Sequence, residues 1–137
     1  MIKKANKNRY AEVLEAICAS AATIKVGDPF DDQTHNGPLI SQAHREKVES
    51  YIASGISEGA RVAFGGNRPE HLELGWYLNP TIFADATNQK RISREEIFGP
   101  VISVISAEND QTAIAIANDS EFGLAGSVWA SDEAHAR

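Results

Sequence analysis

The chain has 137 residues, enough for one domain with a modest core, and its 42% apolar and 23% charged residues are the ordinary globular mixture rather than that of a disordered chain. Thirteen Lys and Arg against nineteen Asp and Glu leave a formal charge of −6, which disfavours nucleic-acid binding through phosphate neutralisation. No stretch approaches the ~20 apolar residues of a membrane helix. Polar residues continue to Tyr10, which denies a signal peptide its apolar core, and a single cysteine, Cys18, precludes an internal disulfide and fits a reducing, cytoplasmic setting.

The opening MIKKANKNR reads as a solvated, frayed end. From Asn8 to about Ile24, apolar residues at Tyr10, Val13, Leu14, Ile17, Cys18, Ala21 and Ile24 follow the i, i+3, i+4, i+7 pattern of a helix that buries one stripe. Gly27-Asp28-Pro29 stops it, and the stretch to Leu39 reads as a long surface loop rich in turn formers. Ser41 is a good N-cap for a second helix, with Val48, Tyr51, Ile52 and Ile56 on one face and its end at Gly59. Gly55 inside that helix predicts a close backbone approach.

Arg61 to Phe64 reads as a short strand ending in Gly65-Gly66. Trp76 to Ala84 is a second extended segment, and Pro80 within it predicts an edge or an irregular strand. Val101 to Ile105 is a β-branched strand candidate. Asp110 is read as the cap of a third helix running to about Asn118, LAGSVWA from Leu124 as a last strand, and Ser131 or Asp132 as the cap of a final short helix. Strands alternating with helices predict an α/β protein, a three-layer α/β/α arrangement over a largely parallel sheet.

Among chemically capable residues, Cys18 lies in the middle of a helix beside Ile17, Ala19 and Ala21, not in the electropositive setting that makes a thiolate, and reads as structural. His35, His44, His71 and His135 lack the paired spacing of metal ligands and read as surface residues; no metal site is expected. No phosphate-cradling glycine motif is present, and Gly65-Gly66 reads as a turn.

The stretch REEIFGPVISVI, Arg94 to Ile105, stands apart. One reading puts Glu95 and Glu96 on a solvated turn, with Phe98 anchoring the loop in the core. The other starts from the rule that ligands of α/β proteins bind at strand ends near sheet crevices. A carboxylate there can accept hydrogen bonds from both hydroxyls of a ribose, and a nearby aromatic can pack on a flat ring.

REEIFGPV closely resembles the E-x-F-G-P motif of the NAD(P)-dependent aldehyde dehydrogenase superfamily. KVGDPFD, GPLIS, VESYIASGISEGARVAFGG, GWYLNPTIF and IANDSEFGLAGSVW resemble the same family's catalytic domain, in the family's order, so that the likeness covers residues 9 to 137. It implies that Glu96 binds the nicotinamide ribose hydroxyls of NAD or NADP, that Phe98 packs beside the nicotinamide, and that Gly99-Pro100 turns the chain into the next strand. It also implies that residues 1–137 are a partial catalytic domain. The family's nucleophilic cysteine, glutamate base and cofactor domain would precede this region, and its F-G-G-x-K-x-S-G segment and oligomerisation strand would follow it. The implied chemistry is oxidation of an aldehyde by NAD(P)⁺, with no turnover and no stably held cofactor in this chain alone. The alternative is a non-catalytic structural or interaction module. In either case, exposed sheet edges and apolar faces predict a homo-oligomer.

Overall fold

A computed structural model describes the backbone of residues 2–3 and 7–136 and the side chains of residues 9–134. Among the described residues, four strands form one sheet in the order β1-β4-β3-β2: β1 (Ile2–Lys3), β2 (Arg61–Phe64), β3 (Thr81–Ala86) and β4 (Val101–Ala107). β1 and β3 both run parallel to β4, while β2 pairs antiparallel with β3. The sheet is thus mixed, parallel at its centre with an antiparallel edge. Ile2 and Lys3 correct the expectation of a frayed start, because β4 offers them a free edge and pairs them with Ser106 and Ala107.

Helices α1 (Lys7–Ala22) and α2 (Gln42–Ser57) cover opposite faces. β3 shows how the sheet feeds both layers by its period of two. Ile82 and Ala84 join Leu14, Ala21 and Val104 on the α1 side, whereas Phe83 joins Val48, Tyr51, Ile52 and Ile92 on the α2 side. Asp85 then adopts a left-handed φ of 56° at a register shift, and that extra residue returns Ala86 to the α2 side. The backbone N–H of Asp85 donates to the Tyr10 hydroxyl at 2.9 Å, tying the irregularity to α1. Cys18 packs half-buried against the α1 cluster.

Of the two readings of Pro80, an irregular strand is what forms, with a register shift between Phe83 and Ala86, and the edge position is corrected. The strand begins one residue later, at Thr81, so the proline's missing donor falls outside the ladder and β3 occupies the centre of the sheet. Gly65 is needed beside it: φ is 68°, and a Cβ there would meet the Pro80 carbonyl oxygen at 1.8 Å.

α2 begins where expected, with Ser41 Oγ accepting from the His44 N–H at 3.1 Å. Gly55 is where α2 approaches the sheet, since an added Cβ would lie 2.9 Å from Ile92 Cγ2 and from Phe83 Cζ. A short helix not read from the sequence, α3 (Arg91–Arg94), follows β3. Its N-cap, Lys90, provides no side-chain cap, and Glu58 at the end of α2 substitutes by accepting the Arg91 N–H at 2.8 Å. Hydrogen bonds from Ser54 and from the Arg91 backbone hold the Glu58 carboxyl below the usual range.

α4 (Asp110–Asn118) is capped by Asn109, not Asp110: the Asn109 carboxamide oxygen accepts the Thr112 N–H at 2.8 Å. Asp110 is instead the first helical residue, where its charge favours the positive helix end. The predicted strand LAGSVWA does not form. Residues 121–132 contain neither helix nor strand, and Leu124, Val128 and Trp129 are exposed. High β-propensity is not enough without a neighbouring strand to complete the ladder. A final turn of helix, α5 (Glu133–Ala136), follows.

Candidate functional site: the loop between α3 and β4

The loop from Glu95 to Pro100 enters β4 at its amino end, beside the amino end of β3, with the Thr81 N–H donating to the Pro100 carbonyl at 2.7 Å. This is the opposite end from the one that doubly wound sheets use for ligands. A cleft of about 300 Å³ flanks it, bounded by Gly37, Leu39, Leu78, Gly99 and Pro100. At the carboxyl ends of β3 and β4, Asn88 turns its amide onto the Ile116 carbonyl and Asp119, so it braces α4.

Within the loop, Ile97 is buried and Phe98 is 73% exposed. The reading that Phe98 anchors the loop in the core is therefore corrected, since Ile97 does so. Phe98 has φ 53°, a left-handed conformation that is a strained one for a bulky residue. Because Ile97 must point inward and Gly99 must lie against α2, the backbone turns Phe98 outward. Glu96, two residues earlier, is also exposed.

One stripe of α2 holds this loop. His44, Val48 and Tyr51 stand at i, i+4 and i+7 and so share a face. Tyr51 donates its hydroxyl to Glu95 Oε2 at 2.7 Å, Val48 is fully buried against Gly99, and His44 Nε2 lies 2.8 Å from the Phe98 carbonyl oxygen. A Cβ on Gly99 would approach Val48 Cγ2 to 2.8 Å, so glycine sets the depth of the loop. Arg91 completes the anchor: its Nε donates to Glu95 Oε1 at 3.1 Å, and its guanidinium lies over the Tyr51 ring at 4.2 Å. Arg91 and Tyr51, in that order, hold the Glu95 carboxyl below its usual range, while the Glu95 carboxylate pushes the Tyr51 hydroxyl up.

Glu95 is thus no idle neighbour of the motif but the anchor of its first residue. Tyr51 and Arg91 were not read from the sequence as part of the site. The available signal was the spacing of Tyr51 from His44 and Val48, but it shows only that they share a face, not what the face meets. His44 is corrected from a solvated surface residue to a half-buried one. His35 and His71 are exposed, His35 accepting the Lys25 N–H through Nδ1 at 3.1 Å, and the His135 side chain lies outside the described residues. Among the described residues, no three His, Cys, Asp or Glu converge as a metal site, and no helix is long and apolar enough to cross a membrane.

The α/β domain thus presents an exposed carboxylate and an exposed aromatic two residues apart, ahead of the parallel strand β4, of which Val104 and Ala107 are buried. Residues 5–137 match the sequence profile of the aldehyde dehydrogenase family, and the chain belongs to that family. It is 49% identical over 128 residues to geranial dehydrogenase of Castellaniella defragrans, and 47% identical over 129 residues to betaine aldehyde dehydrogenase of Brucella ovis; each match covers 93% of this chain and 26% of the relative. The chain thus spans about a quarter of the length of these curated relatives. Among solved structures, it superimposes on Mycobacterium tuberculosis aldehyde dehydrogenase complexed with NAD⁺ with a TM-score of 0.91 at 48% identity, over 96% of this chain and 27% of that one. Staphylococcus aureus betaine aldehyde dehydrogenase in complex with NAD⁺ gives 0.87 at 41% identity, over 92% and 25%.

Proposed function

We propose that Glu96 and Phe98 form one wall of a nicotinamide riboside site in an NAD(P)-dependent aldehyde dehydrogenase. Glu96 accepts hydrogen bonds from the two ribose hydroxyls, and Phe98 lays its ring beside the nicotinamide and orients it. The reaction is oxidation of an aldehyde to the acid, or to an acyl-CoA, with the hydride passing to NAD(P)⁺. The observation that carries this reading is the presentation of Phe98: an aromatic ring turned 73% into solvent by a left-handed backbone, beside a carboxylate that can only accept. The residues fit the group in kind, since a ribose diol offers two donors and a nicotinamide offers a flat face. NAD⁺ in the M. tuberculosis and S. aureus relatives supports the choice of ligand.

The chain alone supplies one wall of such a site. Cys18, half-buried on α1, is no nucleophile for it, and the rest of the cofactor falls to the family's other domain. The purified chain, given a panel of aldehydes with NAD⁺ or NADP⁺, is expected to produce no NAD(P)H absorbance above a blank; steady turnover would contradict this division. The site itself is tested by a chimera in which residues 9–137 replace the matching segment of C. defragrans geranial dehydrogenase. Glu96→Gln and Phe98→Ala should each lower its kcat/KM for NAD⁺, and unchanged kinetics in both would sink the reading.

A second reading, a non-catalytic module that self-associates, draws on Leu124, Val128 and Trp129, which are apolar and exposed on one short stretch. Covering them by a second copy would give a homo-oligomer in a cytoplasmic setting. Light scattering of the purified chain decides this: a well-behaved monomer counts against it.

A further inference from the structure

We infer that His44 is a positioning residue for Phe98, acting through the Phe98 carbonyl. Its importance to catalysis rests on the cofactor reading above, but the observations that carry it do not. Phe98 sits at φ 53°, where the Cβ of an L-residue crowds its own backbone, so something must hold it. Its exposed ring is too little packed to do so. Ile97 and Gly99 fix the chain on either side, but among the described residues the hydrogen bond made to Phe98 itself is the one at its carbonyl, where His44 Nε2 approaches to 2.8 Å.

The chemistry of this contact selects one form of the imidazole. A carbonyl oxygen can only accept, so of the two neutral tautomers the one with hydrogen on Nε2 makes the bond. His44 Nδ1 is buried with no hydrogen-bond partner among the described residues. An unpaired N–H at that position would be more costly than an unpaired lone pair, because carrying the hydrogen there also forfeits the bond at Nε2. Burial of one nitrogen and bonding of the other therefore favour the same tautomer. The ring's point of origin is fixed as well, because the His44 backbone N–H is the group that Ser41 Oγ caps at 3.1 Å. A relay from Ser41 through His44 to Phe98 links the start of α2 to the backbone that presents the aromatic ring.

Nuclear magnetic resonance of the isotopically labelled full chain tests this without any cofactor. Long-range ¹⁵N–¹H correlations should show the Nε2–H tautomer of His44. His44→Ala should shift the backbone signals of Ile97, Phe98 and Gly99 and lower their order parameters, while His44→Gln, which keeps an N–H donor of similar reach, should largely restore them. An Nδ1–H tautomer in the native chain, or Phe98 signals unchanged in His44→Ala, would overturn the inference. In the chimera, His44→Ala should lower kcat by about tenfold with a smaller change in KM for NAD⁺, again restored by Gln. If the resonance results hold while Glu96→Gln and Phe98→Ala both leave the chimera unaffected, the cofactor reading fails and the positioning role stands.

Discussion

The Tyr51 hydroxyl reaches across 44 residues of chain to donate to Glu95 at 2.7 Å, fastening the residue that begins the loop between α3 and β4 to the middle of α2. Because Arg91 grips the other carboxylate oxygen and lies over the same tyrosine ring, three side chains from two distant stretches of the sequence close one cluster.

The cluster makes the loop sensitive to acid. The folded pKa of Glu95 is lowered, chiefly by Arg91 and then by Tyr51. Its contribution is therefore fully present above the unfolded glutamate value, about 4.3, and is lost as pH falls through the lower folded value. Native chain should lose stability below about pH 4 more steeply than Glu95→Gln. Urea midpoints measured from pH 7 downward decide this, and parallel curves for the two proteins would refute it.

Gly99 and Val48 should behave as a coupled pair. A Cβ at position 99 meets both Val48 methyls, at 2.8 and 2.9 Å, so Gly99→Ala should cost about 1–3 kcal/mol by overpacking. In a Val48→Ala background most of that cost should vanish, giving a coupling energy of at least about 0.5 kcal/mol in a double-mutant cycle. Strict additivity would mean that the loop does not rest on α2 as described.

Gly55→Ala sets two effects against each other. Alanine favours the helix by about 1 kcal/mol, but its Cβ would lie 2.9 Å from Ile92 and Phe83, where overpacking costs about 1–3 kcal/mol. The contact should win, lowering the urea midpoint at unchanged slope. A stabilised variant would show that α2 stands farther from the sheet.

At α4, Asn109→Ala should destabilise the chain by about 1 kcal/mol, through loss of the cap to Thr112. Asp110→Asn should cost less, roughly 0.3–1 kcal/mol, because it removes a charge near the helix terminus and leaves the Asn109 cap in place. Thermal melts of the two variants compare them directly, and the reverse order would restore Asp110 as the cap.

Much of the architecture was legible in local pattern. The stripe from Tyr10 to Ile24 and that of Val48, Tyr51, Ile52 and Ile56 predicted the two covering helices, because burial of one helix face has a fixed period, although Ile56 itself is exposed. Ser41 was legible as a cap since capping is decided within three residues. The motif containing Glu96 and Phe98 could also be picked out, since its order of residue types is distinctive.

Contacts between distant segments were not legible. Pro80 suggested an edge or an irregular strand; β3 is irregular but lies inside the sheet, because the proline falls one residue outside the ladder and strand order depends on long-range pairing. LAGSVWA had the composition of a strand and found no partner. Sequence by itself determined that a carboxylate and an aromatic stand two residues apart before a β-branched run. Only the tertiary structure decided that Ile97 turns in and Phe98 turns out, that Glu95 is an anchor, and that His44 meets Phe98, because each depends on where α2 packs against a loop more than forty residues away.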